Sequence, residues 1–142
     1  QRSVGKISEK SEKDFAEIVG KMSIGHSRWA THGGVLEKNA HPHLSYDRTV
    51  AVIHNGIIEN HHELRSFLVA KTGTPESELF RSDTDTEVIP HLIAHLISTG
   101  KNFEAAFSEA AKMLEGRYAI IAMRTCRPVH SFDRVLISVL RT

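Results

Sequence analysis

The sequence has 142 residues, of which 18 are basic and 17 acidic, and its formal net charge is +1. This length suits one ordinary domain, and the balanced charge gives no general reason to expect a nucleic-acid or anionic-membrane partner. No apolar run approaches the roughly 18 residues of a transmembrane helix, and the single cysteine, Cys126, excludes an internal disulfide and favours a cytoplasmic setting.

The first third of the chain predicts little regular structure. Apolar residues within residues 4–21 are spaced as one face of a short helix, and residues 23–28 suit a strand. Residues 29–48 contain glycine, asparagine and proline without a sustained period, which predicts a long loop. Loops of this length in compact domains often bind ligands or close over them. A functional site is therefore first sought here.

The middle of the chain predicts a strand followed by a helix. Residues 49–53 form an apolar, β-branched run, and the Asn55-Gly56 pair after it is typical of a sharp turn. Asn60 suits a helix cap, and the helix is expected to end near residue 71, before Gly73. A short strand is expected around Leu79-Phe80.

Two further helices and two strands are predicted after residue 83. Residues 84–87 match a capping box, and apolar pairs then repeat every four residues, although Pro90 predicts a kink or a later start. Residues 103–114 carry the apolar face of another helix, with Gly116 placed to end it. Residues 118–123 and 135–140 suit strands. Buried strands interleaved with helices predict a layered fold of helices and sheets.

Polar side chains cluster in the long loop, after the first buried strand and at the start of the helix that follows residue 83. A site for an amino acid needs a guanidinium for the α-carboxylate, a carboxylate for the α-ammonium, and donors for a developing oxyanion. Arg28, Asp85 and the Asn55-Gly56 pair supply these groups. Each also has an ordinary explanation, namely a surface ion pair, a helix cap and a hairpin turn.

The ten histidines raise a zinc hydrolase as another alternative. Zinc ligands on a helix favour i, i+4 spacing, which His91 and His95 have. Leu92 stands where the His-Glu-x-x-His motif requires its glutamate. This pair is therefore expected on the polar side of its helix, and no metal or other cofactor is expected.

Four motifs occur in a distinctive order: Gly25-His26-Ser27-Arg28-Trp29-Ala30-Thr31-His32-Gly33, Asn39-Ala40-His41-Pro42-His43, His54-Asn55-Gly56-Ile57-Ile58-Glu59-Asn60 and Asp83-Thr84-Asp85-Thr86-Glu87. Over about residues 4–123 the sequence resembles the glutaminase domains of the glutamine:fructose-6-phosphate aminotransferase family, a branch of the class II glutamine amidotransferases. Amidophosphoribosyltransferases share the arginine and Asn-Gly features. They differ at the Trp-Ala-Thr-His-Gly and His-Pro-His segments, which favour the hexosamine branch.

The resemblance implies an α+β fold, an incomplete four-layer αββα sandwich of the N-terminal nucleophile hydrolases with largely antiparallel sheets. Residues 1–142 would form a partial glutaminase domain, with residues 124–142 poorly matched to the family. By the same resemblance, Arg28 would bind the α-carboxylate of glutamine and Asp85 its α-ammonium. Asn55 and the N–H of Gly56 would form the oxyanion hole, and His41 would support the loop from behind the pocket. The loop residues expected to line the pocket are Trp29, Thr31 and His32.

The implied chemistry is attack by an N-terminal cysteine thiolate on the glutamine amide, with the cysteine's own α-amine, of pKa about 8, as base. Because the sequence begins at Gln1, this nucleophile is expected outside it, and Cys126 is not expected to replace it. The parent would be a homo-oligomer that makes glucosamine 6-phosphate from fructose 6-phosphate with a sugar-phosphate isomerase domain. The alternatives are an inactive glutamine-binding module and an amidotransferase domain of another class II family.

Overall fold

The computed structural model describes Ser3, residues 23–27, residues 34–126 and residues 131–140, with backbone alone at 125–126 and 131–140. A 3-10 helix at Glu37–Asn39 comes first. The remaining elements are, in chain order, β1 (His43–Leu44), β2 (Val50–Gly56), α1 (His61–Thr72), α2 (Glu76–Leu79), α3 (Val88–Ser98), α4 (Phe103–Met113), β3 (Tyr118–Cys126) and β4 (Ser131–Leu140).

The four strands form one antiparallel sheet in the order β1-β2-β3-β4. β2 pairs with β3 along its whole length, from Val50 opposite Arg124 to Gly56 opposite Tyr118. β4 pairs with β3 on the other side, with a register shift at residues 124–125. An α+β fold with an antiparallel sheet was predicted, and it is confirmed.

Helices α1, α3 and α4 pack with one face of this sheet in a single apolar core. The sheet contributes alternate residues to it, including Val50, Val52 and Ile120, as expected for strands whose side chains point to opposite faces in turn. Burying each such side chain contributes about 1.5–3 kcal/mol. The same alternation places His54 on the helix-covered face and Asn55 on the opposite one.

Several predicted boundaries are confirmed. α1 covers the helix expected from Asn60 to residue 71, and Gly73 ends it in a left-handed conformation with φ 68°. α3 begins at Val88, so Pro90 lies in the first turn, where a backbone N–H has no intrahelical partner to lose. The later start that the proline predicted is therefore observed.

Other local predictions are wrong. A strand around Leu79-Phe80 was expected, but the chain forms the short helix α2 there. Residues 23–27 form no strand. The helix expected within residues 4–21, and the part of the loop at residues 29–33, lie outside the described residues. Of the helices that are described, α1 is the longest with 12 residues, and none could cross a membrane.

Candidate functional site

Two loop segments, residues 34–43 and 82–87, are joined by buried side chains. Three contacts link them: Asn39 Oδ1 accepts from the N–H of Asp83 at 3.0 Å, His43 Nε2 lies 3.1 Å from Thr84 Oγ1, and His41 Nε2 lies 3.1 Å from Thr86 Oγ1. Because buried polar groups cost free energy unless they are paired, these contacts stabilise one conformation of both segments.

The Glu87 carboxylate anchors the second segment from the helix side. It accepts hydrogen bonds from the backbone N–H of Arg81 at 3.1 Å and from the N–H and hydroxyl of Ser82 at 2.7 and 2.6 Å. The capping box expected at residues 84–87 is therefore wrong. Glu87 itself precedes the first turn of α3 and makes no side-chain cap, since its oxygens bind the loop before it.

Arg65 of α1 holds the same segment from another side. Its guanidinium donates to the carbonyl oxygens of Ser82 at 2.9 Å and Thr84 at 3.2 Å. The guanidinium carbon also lies 4.2 Å from the centre of the Phe80 ring, which adds a cation–π contact. The residues around Asp85 are thus held in place by contacts from α1, from the Glu87 carboxylate and from the loop at 34–43.

Asp85 faces the end of β2. Its side chain is 4% exposed, and Oδ2 accepts a hydrogen bond from the backbone N–H of Ile58 at 2.8 Å. Ile58 follows the exposed pair Asn55-Gly56 by two residues. The structure therefore brings together Asp85 and the Asn55-Gly56 pair, which are 29 to 30 residues apart in sequence.

Gly56 is required by its surroundings. Its φ of 121° is unfavourable for residues with a side chain, and a Cβ there would collide with the carbonyl oxygen of Arg117. Gly116 has the same φ, and a Cβ on it would collide with the carbonyl oxygen of Ile57. The Asn55-Gly56 pair is not the hairpin turn that the sequence suggested, because it continues β2 and is paired with β3.

Asn60 fixes the path of the chain after β2. The sequence predicted a side-chain cap on α1, but no such bond forms. Instead Asn60 Nδ2 donates to the carbonyl of Met113 at 2.9 Å, and Oδ1 accepts from the N–H of Glu115 at 3.0 Å. The two hydrogen bonds join the start of α1 to the end of α4, beside the Gly56 exit.

His54 lies behind Asn55, on the helix-covered side of the sheet. Its ring is 4% exposed, and Nδ1 lies 2.9 Å from Thr86 Oγ1. Burial lowers the pKa of His54, the charge of Asp85 opposes this, and His26 adds to the lowering. Nε2 is buried without a hydrogen-bond partner among the described residues. A buried polar atom that stays unpaired costs about 1–3 kcal/mol.

His41 contacts both loop segments. Its Nε2 meets Thr86 Oγ1, and its Nδ1 lies 3.0 Å from Nδ1 of His26. These contacts support the proposed role of His41 behind the pocket, which stays a prediction. Four other predicted site residues lie outside the described part of the chain: Arg28, Trp29, Thr31 and His32. Their roles in binding glutamine also stay predictions.

His91 was expected on the polar side of its helix, but it is buried, with 1% of its surface exposed. Its Nδ1 accepts from the N–H of Tyr46 at 3.1 Å, and its Nε2 donates to the carbonyl of Leu79 at 2.9 Å. Burial lowers the pKa of His91, and the Glu87 charge opposes this. The hydrogen bond accepted at Nδ1 requires the neutral ring with its proton on Nε2. In the described part of the chain, no three His, Cys, Asp or Glu residues are grouped to hold a metal ion.

No part in the site was predicted for five residues that build it: Asn39, His54, Arg65, Thr86 and Glu87. All of them except Arg65 stood within the motifs. The contact between His54 and Thr86, however, spans 32 residues. Local patterns do not report such a contact. The only signal in the sequence was that the histidine and the threonine lie directly beside Asn55 and Asp85.

Residues 26–134 match the family model described as a glutamine amidotransferase domain. The chain belongs to this family. The matched residues include Asn55, Gly56 and Asp85, which the structure brings together.

This glutamine amidotransferase domain is similar to two curated relatives that are both named glutamine-fructose-6-phosphate aminotransferase (isomerizing). The relative from Idiomarina loihiensis is 48% identical over 128 residues, which are 89% of this chain and 20% of the relative. The relative from Methanothermobacter thermautotrophicus is 46% identical over 129 residues, which are 90% of this chain and 21% of the relative. The chain thus spans about a fifth of the length of these relatives.

The fold of the domain is similar to a solved structure of glutamine phosphoribosylpyrophosphate amidotransferase from B. subtilis. The TM-score is 0.53 at 29% sequence identity, and the match covers 70% of this chain and 20% of that one. This likeness confirms the amidotransferase fold that the motifs predicted.

Proposed function

We propose that this domain binds glutamine and contributes to hydrolysis of its side-chain amide, which releases ammonia for another part of a longer protein. The observation that carries the proposal is the position of the Asp85 carboxylate beside the backbone that follows Asn55 and Gly56. The Asp85 carboxylate suits an α-ammonium, and the donors of Asn55 and Gly56 suit an oxyanion. The groups for both lie at one strand end. Family membership supports glutamine as the ligand.

Each group has a defined task in this proposal. Asp85 binds the α-ammonium, and Arg28 binds the α-carboxylate through two parallel hydrogen bonds. The Asn55 amide and the Gly56 N–H donate to the oxygen that becomes negative when the amide is attacked. The remaining pocket contacts come from Trp29, Thr31 and His32, and His41 supports them.

The nucleophile in this proposal is an N-terminal cysteine thiolate outside these 142 residues. The thiolate forms a thioester with glutamine as ammonia leaves, and water then releases glutamate. Cys126 does not suit this role. Tyr118 pairs with Gly56 at one end of β3, and Cys126 stands at the other end. At about 3.4 Å per residue the two ends are roughly 27 Å apart.

The acceptor of the ammonia is proposed to be fructose 6-phosphate, giving glucosamine 6-phosphate. The names of both curated relatives support this choice. The parent would then be a cytoplasmic homo-oligomer with a sugar-phosphate isomerase domain. The similar B. subtilis structure favours the competing acceptor, phosphoribosylpyrophosphate. Assaying the parent with each acceptor distinguishes them, and product from phosphoribosylpyrophosphate alone would overturn the hexosamine assignment.

Glutamine binding is tested by calorimetry on the wild-type chain and three variants. We expect Arg28→Ala and Asp85→Asn to weaken binding at least tenfold, which corresponds to about 1.4 kcal/mol. Asp83→Asn is the matched control, because it removes the same charge from an exposed side chain two residues away. It should retain affinity within about twofold of wild type. Absence of binding by the wild-type chain, or equal affinities for Asp85→Asn and wild type, would contradict the proposal.

A further inference from the structure

The hydroxyl of Thr86 is shared by two buried histidines. His54 Nδ1 lies 2.9 Å from it and His41 Nε2 lies 3.1 Å from it, and Thr86 is 2% exposed. Both rings are at least nine-tenths buried. Water is thus largely excluded from the contact, and the hydrogen bonds must be arranged among these three side chains.

A hydroxyl carries one proton, so Thr86 can donate to only one of the two rings. The other ring must then donate its own N–H to Oγ1. If both rings donated, the hydroxyl proton would need a third partner, and the structure gives Thr86 Oγ1 only His41 and His54 among the described residues. The two rings therefore have opposite roles at this oxygen.

Two arrangements satisfy this condition. In the first, His41 donates from Nε2 and Thr86 donates to Nδ1 of His54, so a neutral His54 carries its proton on Nε2. In the second, His54 donates from Nδ1 and Thr86 donates to Nε2 of His41, so a neutral His41 carries its proton on Nδ1. When both rings are neutral, they carry their protons on the same nitrogen in either arrangement.

The contact continues to the segment before Arg28. His41 Nδ1 lies 3.0 Å from His26 Nδ1, and one of these nitrogens must carry the proton that the pair shares. His26 precedes Arg28 by two residues, His54 directly precedes Asn55, and Thr86 directly follows Asp85. The hydroxyl thus lies one hydrogen bond from the histidine that precedes Asn55. Through His41 it lies two hydrogen bonds from the segment before Arg28.

We infer that Thr86 is a positioning residue whose hydroxyl sets the tautomers of His41 and His54 together and holds the segment before Arg28 against the end of β2. Its effect on glutamine rests on the proposed function, but its effect on the two rings does not. A buried threonine that only satisfied its own hydroxyl would need one partner. The side chain also does not cap α3, since the backbone carbonyl of Thr86, not its hydroxyl, accepts from Ile89.

The inference is tested by nitrogen NMR of the histidine rings in the 142-residue chain at pH 7.5. In wild type we expect His41 and His54 to carry the proton on the same ring nitrogen, and His26 on the other. Thr86→Val keeps the shape but removes the hydroxyl, so the ring signals of His41 and His54 should both change. Thr86→Ser should restore both. Opposite tautomers for His41 and His54 in wild type would overturn the inference, even if Thr86→Val does not fold.

Thr84→Val is the matched control for loosening of the loop. Thr84 is also a buried threonine that contacts a histidine, His43, but it does not touch His54. This variant should leave the proton of His41 and of His54 on the same ring nitrogen as in wild type. It should keep glutamine affinity within about threefold, whereas Thr86→Val should weaken it at least tenfold. Equal losses for the two variants would overturn the positioning role. Failure of wild type to bind glutamine would overturn the proposed function, and the ring signals alone would then decide the inference.

Discussion

The Asp85 carboxylate accepts a hydrogen bond from the backbone N–H of Ile58 at 2.8 Å, across 27 residues of sequence. This contact joins the loop before α3 to the chain leaving β2. A carboxylate that helps to fix the backbone beside its proposed ligand position has two tasks, and stability and binding measurements separate them.

We expect Asp85→Ala to lower the free energy of unfolding by about 1.5–3 kcal/mol, because the Ile58 N–H loses a charged acceptor in a buried position. Asp85→Asn keeps an oxygen that can accept this bond, so it should cost less than half as much. Urea denaturation of both variants measures the difference. If the alanine variant unfolds within about 0.5 kcal/mol of wild type, the contact does not stabilise the domain as proposed.

The backbone contact between Gly56 and Arg117 predicts a large effect for Gly56→Ala. The new methyl group would meet the Arg117 carbonyl in addition to straining a φ of 121°, so the cost should be about 3 kcal/mol or more. Gly73→Ala provides the comparison. Its φ of 68° is also positive, but nothing lies near the added methyl group. It should cost about 1–2 kcal/mol by urea denaturation. Equal costs would show that the collision is relieved by small backbone shifts.

The major elements could be predicted because each has a local signal. β2, α3 and β3 are apolar runs or repeats long enough to distinguish strands from helices. The helix α2 has only four residues, which is too short to show a helical spacing of apolar residues. The apolar pair Leu79-Phe80 at its end is equally compatible with a strand.

The polar contacts of the site were harder to predict. Asn60 and Glu87 are residue types that cap helices, and both precede a helix, but their side chains bind backbone groups elsewhere. Capping chemistry and long-range anchoring use the same short polar side chains, so the sequence favours the local explanation. The resemblance did assign Asn55, Gly56 and Asp85 to one site, and Asp85 accepts from the backbone N–H two residues after Gly56. Their roles in binding glutamine stay predictions.

Asn60 and Asn102 provide a direct test of this distinction, since both precede helices. Asn102 is a true cap, and its Oδ1 accepts from the N–H of Ala105 at 2.8 Å. Asn102→Ala should therefore cost about 1 kcal/mol. Asn60→Ala leaves two backbone groups of the α4–β3 connection without their partners, and should cost about 1–3 kcal/mol. Thermal or urea unfolding in which Asn60→Ala is the milder of the two would contradict the anchoring role.

Two buried histidines make stability depend on pH. Burial lowers the pKa of both His54 and His91 in the folded state, so the unfolded chain binds more protons than the folded chain once the pH falls below about 6.5. Their contribution to stability is therefore full above that pH and decreases as the pH falls toward the folded-state values. Within this window each histidine should add about 1.4 kcal/mol per pH unit to the slope.

His91→Gln isolates one of these contributions, because protonating His91 would also remove the acceptor for the Tyr46 N–H. Urea denaturation at pH 7.5, 6.5 and 5.5 should show a smaller loss of stability on acidification in this variant than in wild type, by up to about 1.4 kcal/mol per pH unit. His62→Gln is the control, since that side chain is exposed on α1 and the variant should keep the wild-type slope. Equal slopes for His91→Gln and wild type would show that His91 is not held neutral by burial, since only a group whose pKa differs between the folded and unfolded chains changes the slope.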